Sequence, residues 1–262
     1  MKTLRINLEK IEPMLSTIVW SLDKAVGQDI REYYDIVDTV THNALPQYRN
    51  DRINTNIKRF VESAGVEAKV FNRAAWEGVI VIDRQSKITL TVCSKITLDR
   101  IPRKKNRKWP HYLQTILHIL NADLEAPVKQ MSMQELYGDE FTIFTPEEYK
   151  EDFDSIMNDE INYDDGYRHG VVVYTREGLH ISSVQLKFLD PDFDTVKEYS
   201  LIEMLRPDFS DLTENEYENQ NDHAKTSLVS LKEKTKKSRI KETDRKKTLA
   251  QLKTEEEGSM QA

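Results

Sequence analysis

The chain has 262 residues, 45 Asp+Glu against 38 Lys+Arg, a net charge of −7, one Cys, 8 Gly and 8 Pro. One cysteine excludes a disulfide scaffold and a Cys-based zinc finger, and the few glycines and prolines exclude a collagen-like or linker-type chain. The longest aliphatic run, Val79-Ile80-Val81-Ile82, cannot span a bilayer, and Glu9 and Glu12 interrupt the apolar residues where a secretory segment would lie, so a cytoplasmic protein is expected.

Residues 1–65 read as mostly helical. Ile11, Leu15, Ile18, Val19 and Leu22 fall at helical spacing, and a second pattern runs from Ile30 through Tyr33, Tyr34, Val37 and Val40 until Pro46 interrupts it. Asn50 or Asp51 can cap a third helix with Ile53, Ile57, Phe60 and Val61 on one face, and Gly65 suits its end.

From Glu67 the period changes to two. Lys69–Arg73, Gly78–Asp83 and Lys87–Thr97 read as strands, the last two joined as a hairpin by Arg84-Gln85-Ser86. The run Val79–Ile82 is apolar without alternation, which predicts a strand covered on both faces. A basic loop follows, and then a helix from His111 to Asn121 with Leu113, Ile116, Leu117 and Leu120 inward. Further on, Thr145-Pro146-Glu147-Glu148 starts a helix expected to run to about Asn158: a capping threonine, proline at the first position, acids in the first turn. His169–Thr175 and Leu179–Leu189 form a second hairpin, Val196–Tyr199 follows an Asp/Pro turn, and Ser200–Leu205 reads as a short helix. After about residue 210 the apolar residues are too sparse to seed a core.

The expected fold is α+β. A helical region, 1–65, precedes a core, 66–209, in which two β-hairpins make a small mixed or antiparallel sheet packed by two or three helices. A charged, flexible or partly helical tail, 210–262, closes the chain.

Charge is strongly segregated. Residues 139–222 hold 23 Asp/Glu against 6 Lys/Arg. Six cations and no anion lie in the segment of Arg100, Arg103, Lys104, Lys105, Arg107 and Lys108, which ends against Trp109. A second basic run, Lys232 to Lys247, holds nine cations and three anions. Such basic segments meet phosphates, or the chain's own acidic stretch. Cations beside an exposed aromatic suit phosphate contact with base stacking; the plainer reading packs Trp109 into the core.

Nothing points to a metal or cofactor. His111 and His118 lie seven apart without further ligands nearby. Asp159, Glu160, Asp164 and Asp165 do not match a calcium loop. Cys93, on a strand of alternating apolar residues, reads as packing.

The order helix, strand, Trp76-Glu77 through Asp83, turn, Lys87 to Lys95, helix resembles the core of restriction-endonuclease-like nucleases. Members of that class set one acid at the start of a hairpin strand and an acid-x-Lys on the next, so that two carboxylates hold Mg²⁺ and the lysine orients water. The resemblance implies Glu77 as the first acid and Lys95 as the lysine. Position 93 should then be acidic; it is Cys93, a poor ligand for a hard cation.

The stretches Asn50-Asp51-Arg52-Ile53-Asn54-Thr55, Phe71-Asn72-Arg73 with Trp76, His111-Tyr112-Leu113, and Ser182 to Leu189 resemble an uncharacterised family of low-GC Gram-positive bacteria and their phages. That resemblance implies a bacterial or phage accessory setting and marks Arg52, Arg73 and Trp76. The expectation is a non-catalytic interaction protein, possible host–phage conflict included, that binds a protein or nucleic-acid partner through segregated charge. The alternatives are an active or degenerate Mg²⁺-dependent nuclease and a nucleic-acid-binding protein using the 100–108 loop.

Overall fold

The computed structural model describes residues 6–73, 76–104, 107–128 and 144–205. The chain divides into two units, Met1–Arg206 and Pro207–Ala262. The described residues belong to the first; the tail expected from residue 210 and Lys105 of the basic loop lie outside them.

Helix α1 (Leu8–Val26) is capped by Asn7, whose side chain accepts from the Lys10 amide, and buries the stripe Ile11, Leu15, Ile18, Val19 and Leu22. Helix α2 (Gln28–Ile36) is short and ends before Val37. Helix α3 (Leu45–Ser63) starts earlier than the spacing predicts, with Pro46 in its first turn. Pro46 therefore begins a helix instead of breaking one, because a first-turn amide has no intrahelical partner to lose. Trp20 of α1 and Phe60 of α3 meet edge to face with centroids 4.3 Å apart.

Six strands follow: β1 (Glu67–Arg73), β2 (Trp76–Asp83), β3 (Ile88–Ser94), β4 (Arg168–Glu177), β5 (His180–Leu189) and β6 (Thr195–Ser200). They form one mixed sheet in the order β1-β2-β3-β4-β5-β6. Every pairing is antiparallel except β3 with β4, which runs parallel from Ile88↔Arg168 to Ser94↔Tyr174. A parallel pair needs a long crossover. It is supplied by 95–167, which carries α4 (Lys95–Arg100), α5 (Tyr112–Leu120) and α6 (Pro146–Met157).

The sheet has helices on both faces. Val79, Val81, Leu90, Val172, Leu186 and Phe188 pack with α1 and α3. Phe71, Ile80, Ile82, Val171, Val173 and Leu189 pack with α5 and α6. Burial of both faces explains why Val79–Ile82 is uniformly apolar. Helix α6 starts on a full capping box between Thr145 and Glu148, and Asn158 ends it in the left-handed conformation.

The third strand is shorter than expected. It stops at Ser94, whose hydroxyl accepts from the Thr97 amide and so caps α4. Lys95 is consequently a helical residue, tied to Asp99 one turn on at 2.9 Å, and not a strand residue facing Glu77. The segment Ile202–Met204 forms one 3₁₀ turn where a short helix was expected.

Candidate functional site

The ladder between β2 and β3 covers only Val81–Asp83 against Ile88–Leu90. Beyond it the strands part, and a cleft of about 560 Å³ opens at the carboxyl end of the β3–β4 pair. Trp76 and Arg73 line one side, and Val92, Cys93 and Ser94 with Tyr174 of β4 line the floor. Asn50, Ile53 and Asn54 of α3 close one wall. The segment Lys104, Arg107, Lys108, Trp109, Pro110, His111 and Tyr112 closes the other.

Each side chain is held for a local reason. Gly78 faces the rings of Phe71 and Trp76 so closely that a Cβ there would lie 2.5 Å from Phe71 and 2.7 Å from Trp76. Glycine thus lets Trp76 fold down beside Phe71, where the centroids are 5.6 Å apart. Trp76 in turn stacks on Tyr112, the first residue of α5, at 5.1 Å. Arg73 ends β1. Its Nη2 lies 2.9 Å from Asp152 Oδ1 of α6 without hydrogen-bond alignment, and its buried Nη1 has no hydrogen-bond partner. Asp152 is itself fixed by the Thr115 hydroxyl. Arg107 donates to the Ile101 carbonyl at 2.8 Å, which ties its side chain to the end of α4.

The site is electrostatically one-sided. Four cations line it, Arg73, Lys104, Arg107 and Lys108, and no described lining residue is acidic. This sits on a chain whose net charge is −7. His111 registers the field. Its Nδ1 caps α5 by accepting from the Leu113 amide at 3.2 Å. Burial, with Arg107, Arg73 and Lys104 nearby, pushes it down to about 3. Burial holds the Arg73 guanidinium below its ordinary value despite Asp152, and pushes the Cys93 thiol up to about 12, toward the protonated form.

The residues singled out from the sequence separate here. Arg73 and Trp76 meet Lys104, Arg107, Lys108 and Trp109 in one cleft. Trp109 is 63 % exposed, with Lys108 Nζ 6.0 Å from its ring centroid; it is not packed in the core. Arg100 and Arg103 are exposed and continue the positive surface outside the cleft. Arg52 lies elsewhere: its Nε donates to buried Asp29 at 2.8 Å, and Asn56 and Lys24 donate to the same carboxylate. Glu77 is exposed and neither it nor Lys95 lines the cleft. Among the described residues no group of three or more His, Cys, Asp or Glu is placed to hold a metal. Asn50–Thr55 and His111–Leu113 were marked only by the family resemblance and Tyr174 not at all, because only the tertiary fold brings them to the basic loop.

These features define a mixed α+β protein with a basic, aromatic-walled cleft at its sheet end. Residues 8–250 match a family of unknown function, DUF5986, and the chain belongs to that family. No curated protein and no solved structure matches it. No helix among the described residues is long and apolar enough to cross a membrane.

Proposed function

We propose that this protein binds single-stranded nucleic acid in the cleft between α3 and the 104–112 segment, and that it works by binding. The observation that carries this reading is the convergence of Arg73, Lys104, Arg107 and Lys108 with Trp76, Trp109 and Tyr112 on one acid-free cleft. Positive grooves supply the attraction to a phosphate backbone. Aromatic rings add stacking worth about 1–3 kcal/mol per base, which any base can use. The exposed Trp109 and the cations Arg100 and Arg103 extend beyond the cavity, which favours a strand over a mononucleotide. Duplex DNA suits it less, since stacking on a cleft-wall ring needs an unpaired base.

The setting we propose is a bacterial or phage accessory protein, on the strength of Asn50–Thr55, Phe71–Arg73 with Trp76, and His111–Leu113. A hydrolytic role for Glu77 and Lys95 finds no favouring observation, since Lys95 is committed to Asp99.

The test is fluorescence anisotropy with labelled single-stranded DNA, single-stranded RNA and duplex DNA, each with Mg²⁺ present and the strands then run on a denaturing gel. Tighter binding of the single strands, all recovered intact, supports the reading. Equal or absent binding of all three, or cleavage lost in Glu77→Ala, overturns it.

A further inference from the structure

Arg49, in the second turn of α3, is 7 % exposed. Its Nε is sealed from solvent and has no hydrogen-bond partner. Among the described residues no carboxylate forms an ion pair with it; its charged neighbour is another cation, Arg176, and its polar neighbours are Tyr174 and Tyr34. Buried charges are ordinarily paired, because an unpaired one forfeits its hydration for nothing. Asp29 shows how the same fold treats a buried charge it means to neutralise, with Arg52, Lys24 and Asn56 all donating to it.

The position of Arg49 gives its loneliness a use. Asn50 beside it and Ile53 one turn on both line the cleft, as does Tyr174. Arg49 therefore sits next to the α3 residues of the cleft, although it does not itself line it. Among the described residues Arg73 is the other guanidinium with a buried, unpartnered nitrogen. We infer that Arg49, with Arg176 past Tyr174, forms a second anion site, which holds a further backbone phosphate of a strand whose other phosphates meet Arg73, Lys104, Arg107 and Lys108. This rests on the single-strand reading for its ligand, while the anion site itself stands on the unpaired guanidinium. A strand held so crosses the carboxyl ends of β3 and β4, with a base against the Trp76–Tyr112 pair.

The experiment uses the full chain as wild type, Arg49→Gln and Arg49→Lys. An oligothymidylate of about twelve nucleotides spans a site of this kind. Arg49→Gln is expected to weaken its binding about tenfold and to make the log–log salt slope shallower by about 0.7, one phosphate on a single strand. Arg49→Lys recovers the slope but only part of the affinity, because lysine keeps the charge without the fork. The unliganded melting temperature of Arg49→Gln is expected to equal or exceed that of wild type, since no internal ion pair is lost. A clear fall in that temperature, or failure to fold, makes Arg49 a structural residue and overturns the inference. Unchanged affinity and slope overturn it as well. Should wild type bind no strand, the single-strand reading falls, and inorganic pyrophosphate then decides on the anion site. A thermal upshift that shrinks in Arg49→Gln keeps the site, and equal upshifts remove it.

Discussion

Trp76 opens β2 and Tyr112 opens α5, and their rings stack with centroids 5.1 Å apart and planes 21° from parallel. The pair joins a sheet residue to a helix residue 36 positions later and makes the aromatic wall of the cleft. Replacing Trp76 by Leu should remove about 1–3 kcal/mol of single-strand affinity, the range for loss of one stacking ring. Anisotropy titration checks this. Unchanged affinity in a folded Trp76→Leu protein would place the bases elsewhere.

Arg73 and Arg52 make opposite predictions although the sequence marks them alike. Arg73→Gln should weaken binding and make its salt dependence shallower. Arg52→Gln should leave binding untouched, because Arg52 is engaged by Asp29 at 2.8 Å. Asp29→Ala should cost about 3 kcal/mol of stability, the scale for breaking a buried ion pair and stranding its partners. Urea denaturation of the three variants, beside titration of the two arginine variants, separates the roles.

Acid stability should follow two buried histidines. His169 lies between the Thr89 and Thr91 hydroxyls at 2.8 and 3.0 Å, and burial pushes it down to about 3. His111 is pushed down to about 3 by burial and the cations around it. Both start from an ordinary value of 6.5, so below that pH the unfolded chain binds protons that the folded chain refuses. Stability is then fully present above about pH 6.5 and declines as the pH falls toward 3. The ion pairs of Glu67 with Arg84 and of Glu160 with Lys69 hold both carboxyls below their ordinary range, which adds a loss of the same sign at still lower pH. His169→Gln should lower stability at neutral pH, since glutamine cannot bridge both threonines, and should flatten the decline between pH 7 and 5. A decline as steep as in wild type would mean that His169 titrates normally.

Much of the local structure was legible in the residues, and most of the site was not. Thr145, Pro146 and Glu148 announce α6 because capping is a short-range affair, and Asn158 ends that helix where expected. Both hairpins were readable from their apolar or alternating runs and the turn residues between them. The end of β3 was not, since Ser94 reads equally as a strand residue until its hydroxyl caps α4. The parallel pairing of β3 with β4 joins Ser94 to Tyr174 across 80 positions, which no local pattern reports. The cluster of cations in the basic loop, ending against Trp109, could be seen from the residues alone. Their meeting with Arg73 and the α3 wall depends on the splaying of β2 from β3 and on the packing of α5, both tertiary events.

The most direct measurement is the affinity of the full chain for a single strand as a function of salt. Four cations facing a backbone predict a log–log slope of about −2 to −3, at about 0.7 per neutralised phosphate. The double variant Arg73→Gln/Arg107→Gln should make that slope shallower by about 1.4 and weaken binding at every salt concentration. A wild-type slope near zero, or a slope that the double variant leaves unchanged, would contradict the assignment of this cleft to nucleic acid.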